Sequence, residues 1–316
     1  MSDGSDQNAR DGGTLRQRMR RGLCVPAIAA PMFLVSGPDL VIAACRAGII
    51  GSFPSLNART PDDLDRWLAR LAEETAGHAP YAVNVILDRR NPRRDADVAL
   101  ILRHKPPVVI TSVGSPEAVV EPVHDYGGIV FSDVATVRHA TKAIAAGADG
   151  LVLLTAGAGG NTGWLNPFAF TAAVRAIFDG PIAVAGCITH GAELAVLELL
   201  GADFGYMGTR FLASTESLAP SEHKDAVVAA GADDIILTDR ISGMPANFVR
   251  QRLIKAGVMD SQGKIASTSS NDYYSFANVW SAGQAAGGIR CIEPVAEIAR
   301  QLESEYRHAR QASVSG

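Results

Sequence analysis

The stretch DGLVLLTAGAGGNTGWLNPF, residues 149–168, carries three signals in one short run. Its first part, GLVLLT, is continuously apolar with no polar alternation, as expected of a strand covered on both faces. A turn with glycines at 157, 159, 160 and 163 follows at once. A helical pattern over 167–178 then follows. Strand, turn and helix make one βα unit, and counting such units outward decides the fold.

Seven further strands read the same way: 26–30, 48–53, 81–87, 107–112, 128–132, 181–186 and 203–208. Helical patterns lie between them at 39–47, 61–75, 94–104, 116–125, 134–146 and 190–200. Thr60-Pro61-Asp62-Asp63 is a sharp helix start, a capping threonine followed by proline and first-turn acids. Eight strands alternating with helices give an α/β protein, a (β/α)8 TIM barrel with a mostly helical excursion after strand eight. A doubly wound sheet would stop near six strands and carry its glycine fingerprint early. Here the glycine-rich segments follow strands six, seven and eight.

The chain is 316 residues long, 47% hydrophobic and 20% charged, which suits one large core. With 29 basic against 33 acidic residues the net charge is -4, so no electrostatic case exists for a nucleic-acid or anionic-membrane partner. The apolar runs are too short to span a bilayer, and no secretory signal is evident near the N-terminus. The cysteines, Cys24, Cys45, Cys187 and Cys291, form no CxxC pair. They read as buried thiols of a cytoplasmic protein, with neither disulfide framework nor metal site. Residues 1–22 are expected to be a flexible segment, as is the tail QASVSG, leaving 23–316 as the barrel. Within it, 212–275 is an excursion near the mouth: a helix at 216–230, a short strand at 235–238, a helix at 245–256, and the polar stretch IASTSSNDYY. A helix from 295 closes the outer ring, and nothing in the sequence assigns an oligomeric state.

Chemistry in such a barrel sits at the strand C-termini. Four glycines after strand six let the backbone approach a ligand closely. Ala185-Gly186-Cys187-Ile188 and Met207-Gly208-Thr209-Arg210 end strands seven and eight, where phosphate is commonly held; the alternative is tight turn geometry alone. Ala30-Pro31-Met32-Phe33 closes strand one with a surface able to lie against a flat ring. Asn84 stands in an otherwise apolar strand, so its amide needs a partner, whether a ring edge or a neighbouring loop. Asp133 lies at a strand end and joins Ala30, Pro31, Met32, Asn84, Gly159, Gly160, Gly186, Cys187, Gly208 and Thr209 as a cofactor-side candidate. Asn161, His190 and His223 are the catalytic candidates. His190 opens a helix beside the suspected phosphate loop, and His223 with Lys224 lies in the excursion, where a solvated helical face is an equal reading.

From about residue 25 to 300 the chain resembles the nitronate monooxygenase family of FMN barrels. The resemblance rests on Ala30-Pro31-Met32, Val83-Asn84, Gly157-Ala158-Gly159-Gly160 through Asn166-Pro167-Phe168, Ala185-Gly186, Gly208-Thr209-Arg210-Phe211, Thr238-Asp239 through Gly243-Met244-Pro245-Ala246-Asn247, and Trp280-Ser281-Ala282-Gly283-Gln284. It implies FMN held without a covalent bond, its phosphate near Gly186 and Gly208-Thr209, its ring near Met32 and Asn84, and Gly159-Gly160 along the rim. Members of that family typically read Glu-Ala-Gly-Gly-His at the strand-six loop, with the histidine as base or hydrogen-bonding catalyst. Here Asn161 takes the histidine position, and no carboxylate stands at the glutamate position. An amide can orient an oxygen but has no pKa suited to proton abstraction.

The leading expectation is oxidation of a nitronate to a carbonyl product and nitrite, with Asn161 as an orienting donor. The alternative, which the resemblance also carries, is an NAD(P)H-dependent flavin reductase or dehydrogenase acting on an enone, quinone or acyl-CoA thioester, with Arg175, Arg210 and Arg250 as candidates for a basic edge. A non-redox lyase or isomerase acting on a phosphorylated substrate is a third reading, weakened by the lack of a strand-end lysine or paired carboxylates.

Overall fold

The computed structural model describes residues 14–241, 243–265 and 279–315. Its strands are β1 (Ala27–Ala29), β2 (Ile50–Pro54), β3 (Tyr81–Ile86), β4 (Val108–Ser112), β5 (Ile129–Val134), β6 (Gly150–Leu154), β7 (Gly160–Asn161), β8 (Ile182–Ala185), β9 (Phe204–Met207), β10 (Ile235–Thr238) and β11 (Ala246–Val249). A closed parallel barrel runs β1-β2-β3-β4-β5-β6-β8-β9. It is sealed where Ala27, Ile28 and Ala29 pair with Gly205, Tyr206 and Met207. The (β/α)8 expectation holds, and each barrel strand falls within a residue or two of its expected position.

The helices begin where their caps require. Thr60 Oγ1 accepts from the Asp63 amide at 3.1 Å while Asp63 returns a carboxylate oxygen to the Thr60 amide at 3.1 Å, with Pro61 in the first turn. That helix then buries Leu64, Leu68 and Leu71, spaced to lie on one face, against the strands. Asn166 caps the Pro167–Arg175 helix in the same manner. Inside the barrel Ile28, Ile50, Ala82, Val108, Ile110, Phe131, Val152, Ala183 and Phe204 fill one cluster.

Three local expectations change. Residues 14–22 are not a loose lead-in, because Leu15–Arg20 is a helix with a Thr14 capping box. Its Met19 is buried in the cluster that fills the barrel interior, and residues 1–13 lie outside the described residues. The 245–256 segment is helical only over Arg250–Lys255, since Ala246–Val249 pairs antiparallel with β10. The tail continues the last helix through Ser315. Part of the excursion, 266–278, with most of the IASTSSNDYY stretch, lies outside the described residues. Among the described residues no helix is long and apolar enough to cross a membrane. Cys45 is buried as expected, but Cys187 and Cys291 are exposed.

Arg175, weighed above for a basic edge, belongs to the opposite end of the barrel. It donates to the carbonyls of Phe178, Gly180 and Gly201 and to Asp203 Oδ2 at 2.7 Å. Asp203, 2% exposed, also accepts from Arg16 at 2.5 Å and from the Ile182 amide at 2.9 Å. Removing one partner of a buried, fully bonded charge leaves the others uncompensated. Asp203→Ala should therefore cost about 3 kcal/mol or more in urea unfolding; a loss under about 1 kcal/mol would show the cluster to be behaving as an exposed ion pair.

Candidate active site

Above the strand ends the excursion folds back onto the barrel. β11 pairs with β10 on one side and with β7 on the other, Ala246 opposite Asn161 and Asn247 opposite Gly160. The buried Asn247 side chain donates to the Ala158 carbonyl at 2.7 Å, and the Thr162 amide donates to the Pro245 carbonyl. The chain beyond the excursion closes on the same loop: Gln284 N donates to Gly157 O at 3.0 Å, and Gly283 N to Thr209 Oγ1 at 2.9 Å. A methyl on Gly159 would lie 2.7 Å from Gly283 N, and one on Gly283 would lie 2.6 Å from Gly157 O. Only glycine allows this backbone contact.

Beneath this cover lies a cavity of about 1550 Å3. It is lined by all the cofactor-side candidates, Ala30, Pro31, Met32, Asn84, Asp133, Gly159, Gly160, Gly186, Cys187, Gly208 and Thr209, together with Asn161 and His223. The ends of β1 and β9 meet on one wall, where a methyl on Gly208 would sit 3.5 Å from the Met32 sulfur. At the end of β8 the chain turns through Gly186 and Cys187, with φ values of 118° and 59°. The Cys187 thiol lies 3.5 Å from Gln284 Oε1, and burial pushes its pKa up. Glycine backbone, the Thr209 hydroxyl and the apolar Met32 wall together can take a flat ligand bearing an anionic tail.

The polar floor is a chain of side chains from neighbouring strands. Asn84 Nδ2 donates to Ser112 Oγ at 2.6 Å and to the Ile110 carbonyl at 3.2 Å, and Ser112 donates in turn to Asp133 Oδ2 at 2.5 Å. Asp133 Oδ1 and the Tyr206 hydroxyl are buried with no partner among the described residues, and both side chains line the cavity. Buried polar atoms seldom go unpaired without a ligand or water to satisfy them. Burial raises Asp133 to about 7, and burial beside Asp133 raises Tyr206 as well. Ser112 and Tyr206 were not singled out from the sequence, although each, like Asn84, is one polar group in an apolar strand. Asn84, found by that very signal, was the clue to the layer.

The catalytic candidates separate. Asn161 is exposed on the cavity rim, its backbone fixed by β11. His223 is 5% exposed, stacked on Trp280 with ring centroids 5.1 Å apart, and its Nε2 lies 3.1 Å from the Ser281 carbonyl. Nε2 therefore carries the proton and donates, leaving Nδ1 as an acceptor. Burial lowers its pKa to about 4, so the ring is neutral at neutral pH. His190 is not brought to this cavity. It lines a separate small pocket beside Arg210, with Nδ1 3.5 Å from Glu305. Arg210 is tied to Glu293 at 2.6 Å, Arg250 donates to the Asp233 carbonyl at 3.0 Å, and Lys224 donates to the carbonyls of Thr215 and Ser217. The basic edge proposed from those arginines is absent from the cavity lining.

Because the folded state holds a proton on Asp133 up to about pH 7 while the unfolded chain loses it near the ordinary carboxyl value, ionisation opposes folding as pH rises between them. Asp133→Asn should remove that penalty. Its melting temperature relative to the parent should climb by ~2 °C or more from pH 5 to pH 8; parallel profiles would mean the carboxyl ionises as in water.

A family model described as nitronate monooxygenase matches residues 93–304. The chain is 28% identical to (3aS,4S,5R,7aS)-5-hydroxy-7a-methyl-1-oxo-octahydro-1H-indene-4-carboxyl-CoA dehydrogenase of Mycobacterium tuberculosis over 74% of this chain, spanning 65%, just under two thirds, of that protein. It is 27% identical to a nitronate monooxygenase of Paraburkholderia phytofirmans, covering 91% of this chain and 94% of the other. The solved structure of FabK from Thermotoga maritima superposes with a TM-score of 0.79 at 26% identity, over 96% of this chain and 99% of that one. With the family match covering most of the closed barrel and of the loops that build its mouth, the chain belongs to the nitronate monooxygenase family of flavin-dependent barrel oxidoreductases.

Proposed function

We propose that this protein is an FMN-dependent oxidoreductase that moves a hydride between flavin and an acyl-CoA thioester or related enone, with NAD(P)H or NAD(P)+ as redox partner. The observation that carries this reading is the cavity itself: about 1550 Å3, mostly apolar, with a neutral amide on its rim in place of a base. Small-molecule sites usually enclose ~300–1000 Å3, so there is room for a flavin and a substantial second ligand together. The similarity to a protein named as a carboxyl-CoA dehydrogenase supports the same choice.

The residues present fit FMN. In this reading Gly186, Cys187, Gly208 and Thr209 hold its phosphate through backbone amides and the threonine hydroxyl. Ala30, Pro31 and Met32 would lie against the ring and Gly159 and Gly160 would border it, and Asp133 and Tyr206, whose oxygens lack partners among the described residues, would with Asn84 meet its polar edge. FMN, when bound, supplies reversible two-electron chemistry. Asn161 donates from Nδ2 to the substrate carbonyl, where negative charge grows as the conjugated carbon is reduced. His223, neutral and held on Ser281, positions the strand of chain that covers the loop rather than exchanging protons.

A second reading, nitronate oxidation, is favoured by the family match. A substrate arriving as its anion needs no base, and Asn161 would orient a nitronate oxygen instead.

Anaerobic titration separates the two. NADH or NADPH should bleach the visible flavin band and crotonyl-CoA should restore it, whereas bleaching by a nitronate and not by nicotinamide would install the second reading. Protein that neither carries nor binds FMN defeats both. Asn161→Ala should retain flavin and lose ~10²-fold in kcat with the working substrate, the scale for removing one donor to a developing oxyanion; unchanged kcat would remove Asn161 from the chemistry.

A further inference from the structure

The cavity does not end at the barrel mouth. Its lining passes over Val113–Pro116 and on to His139, Lys142, Ala143 and Ala146, the first three in the Val137–Ala145 helix and the last just beyond it. The strand ends thus open sideways into a groove that follows the outer wall beside the Glu117–His124 helix. The lined stretch, His139 to Ala146, rises ~10 Å and runs away from the mouth, because the helix follows β5.

The charge along it is one-sided. The Val137–Ala145 helix contains Arg138, His139 and Lys142 and no acidic residue. His139 and Lys142 stand one turn apart on the groove, both exposed, and neither side chain has a hydrogen-bond or ion-pair partner among the described residues. The acids on this side are Asp88, already paired with Arg90 at 2.7 Å, and Glu117 at the start of the facing helix. A lysine and a histidine without partners, at the end of this helix nearest the mouth, can take the phosphates of a linear arm that has crossed Val113–Pro116 from the strand ends.

Resting on the thioester reading above, we propose that this groove holds the pantetheine arm of a coenzyme A thioester, with Lys142 and His139 against its phosphates. The acyl group then reaches Asn161 from the side, past Val113, and the arm stays outside the barrel. A coenzyme A ester and a short thioester with the same acyl group would share the chemistry and differ only in this groove.

The test is calorimetric titration of free coenzyme A into FMN-supplemented protein, parent and His139→Glu/Lys142→Glu. Both positions are exposed, so the melting temperature and flavin spectrum should match the parent. Coenzyme A should bind at least tenfold more weakly to the double variant, while KM for the N-acetylcysteamine thioester of crotonate should stay within twofold. Equal coenzyme A affinity in both proteins, or no detectable binding to the parent, overturns the groove assignment. Tenfold weaker binding without turnover of any thioester by the parent would keep the arm site and discard the reaction proposed above. Turnover of crotonyl-CoA with the same KM in both proteins would keep the reaction and discard the arm site.

Discussion

Backbone packed against backbone at Gly159 and Gly283 is the constraint on which the mouth of this barrel depends. Three parts of the chain, distant in sequence, meet there: the loop after β6, the segment beyond the excursion at Gly283, and Thr209 just after β9. A β-carbon at either glycine would be driven into main-chain atoms that have no rotamer to escape by. The contact also fixes the peptides of Gly157–Gly160, and with them the cavity roof. The barrel supplies a rigid floor; this junction decides how far above it the roof stands.

The floor and the roof share an electrostatic character. Burial lifts Asp133 to about 7, keeps His223 uncharged, and lifts the Tyr206 hydroxyl far from ionisation. Asp133, near 7, stands poised between its two protonation states, while neutral His223 and Tyr206 are suited to binding and orienting oxygen atoms. That matches the replacement of an ionisable ring by an amide at Asn161. Moving a hydride leaves such a site with little charge to accommodate beyond the substrate oxygen.

Much of this was legible in the residues. Barrel strands buried on both faces are unbroken apolar runs, so GLVLLT or PIAVAG could hardly be anything else once helices with clear caps stood between them. The failures have physical causes. ANFV at 246–249 precedes RQRLIK and blends with it into a helical pattern; only pairing with Ile235–Thr238 and with Gly160–Asn161, the latter some eighty-five residues earlier, makes it a strand. Local spacing contains no trace of such a partner. Leu15–Arg20 is too short and too basic to announce itself, and gains its place by setting Met19 into the barrel interior. At the site, glycine turns and the isolated Asn84 pointed to the right place, whereas His190 sat beside the right loop in sequence with its ring turned to Glu305. Position along the chain indicates which end of a barrel a residue occupies, not which way its side chain faces.

The pairing of β7 with β11 has a consequence for how such proteins can be altered. Asn161 owes its place less to its own loop than to Ala246 and Asn247, which hold that loop from outside. The two segments form one module in space though the chain writes them far apart. A designer grafting a new loop after β6 would have to bring its matching excursion strand along, and selection acting on substrate choice would tend to leave paired changes at these two places while the barrel beneath stayed as it was.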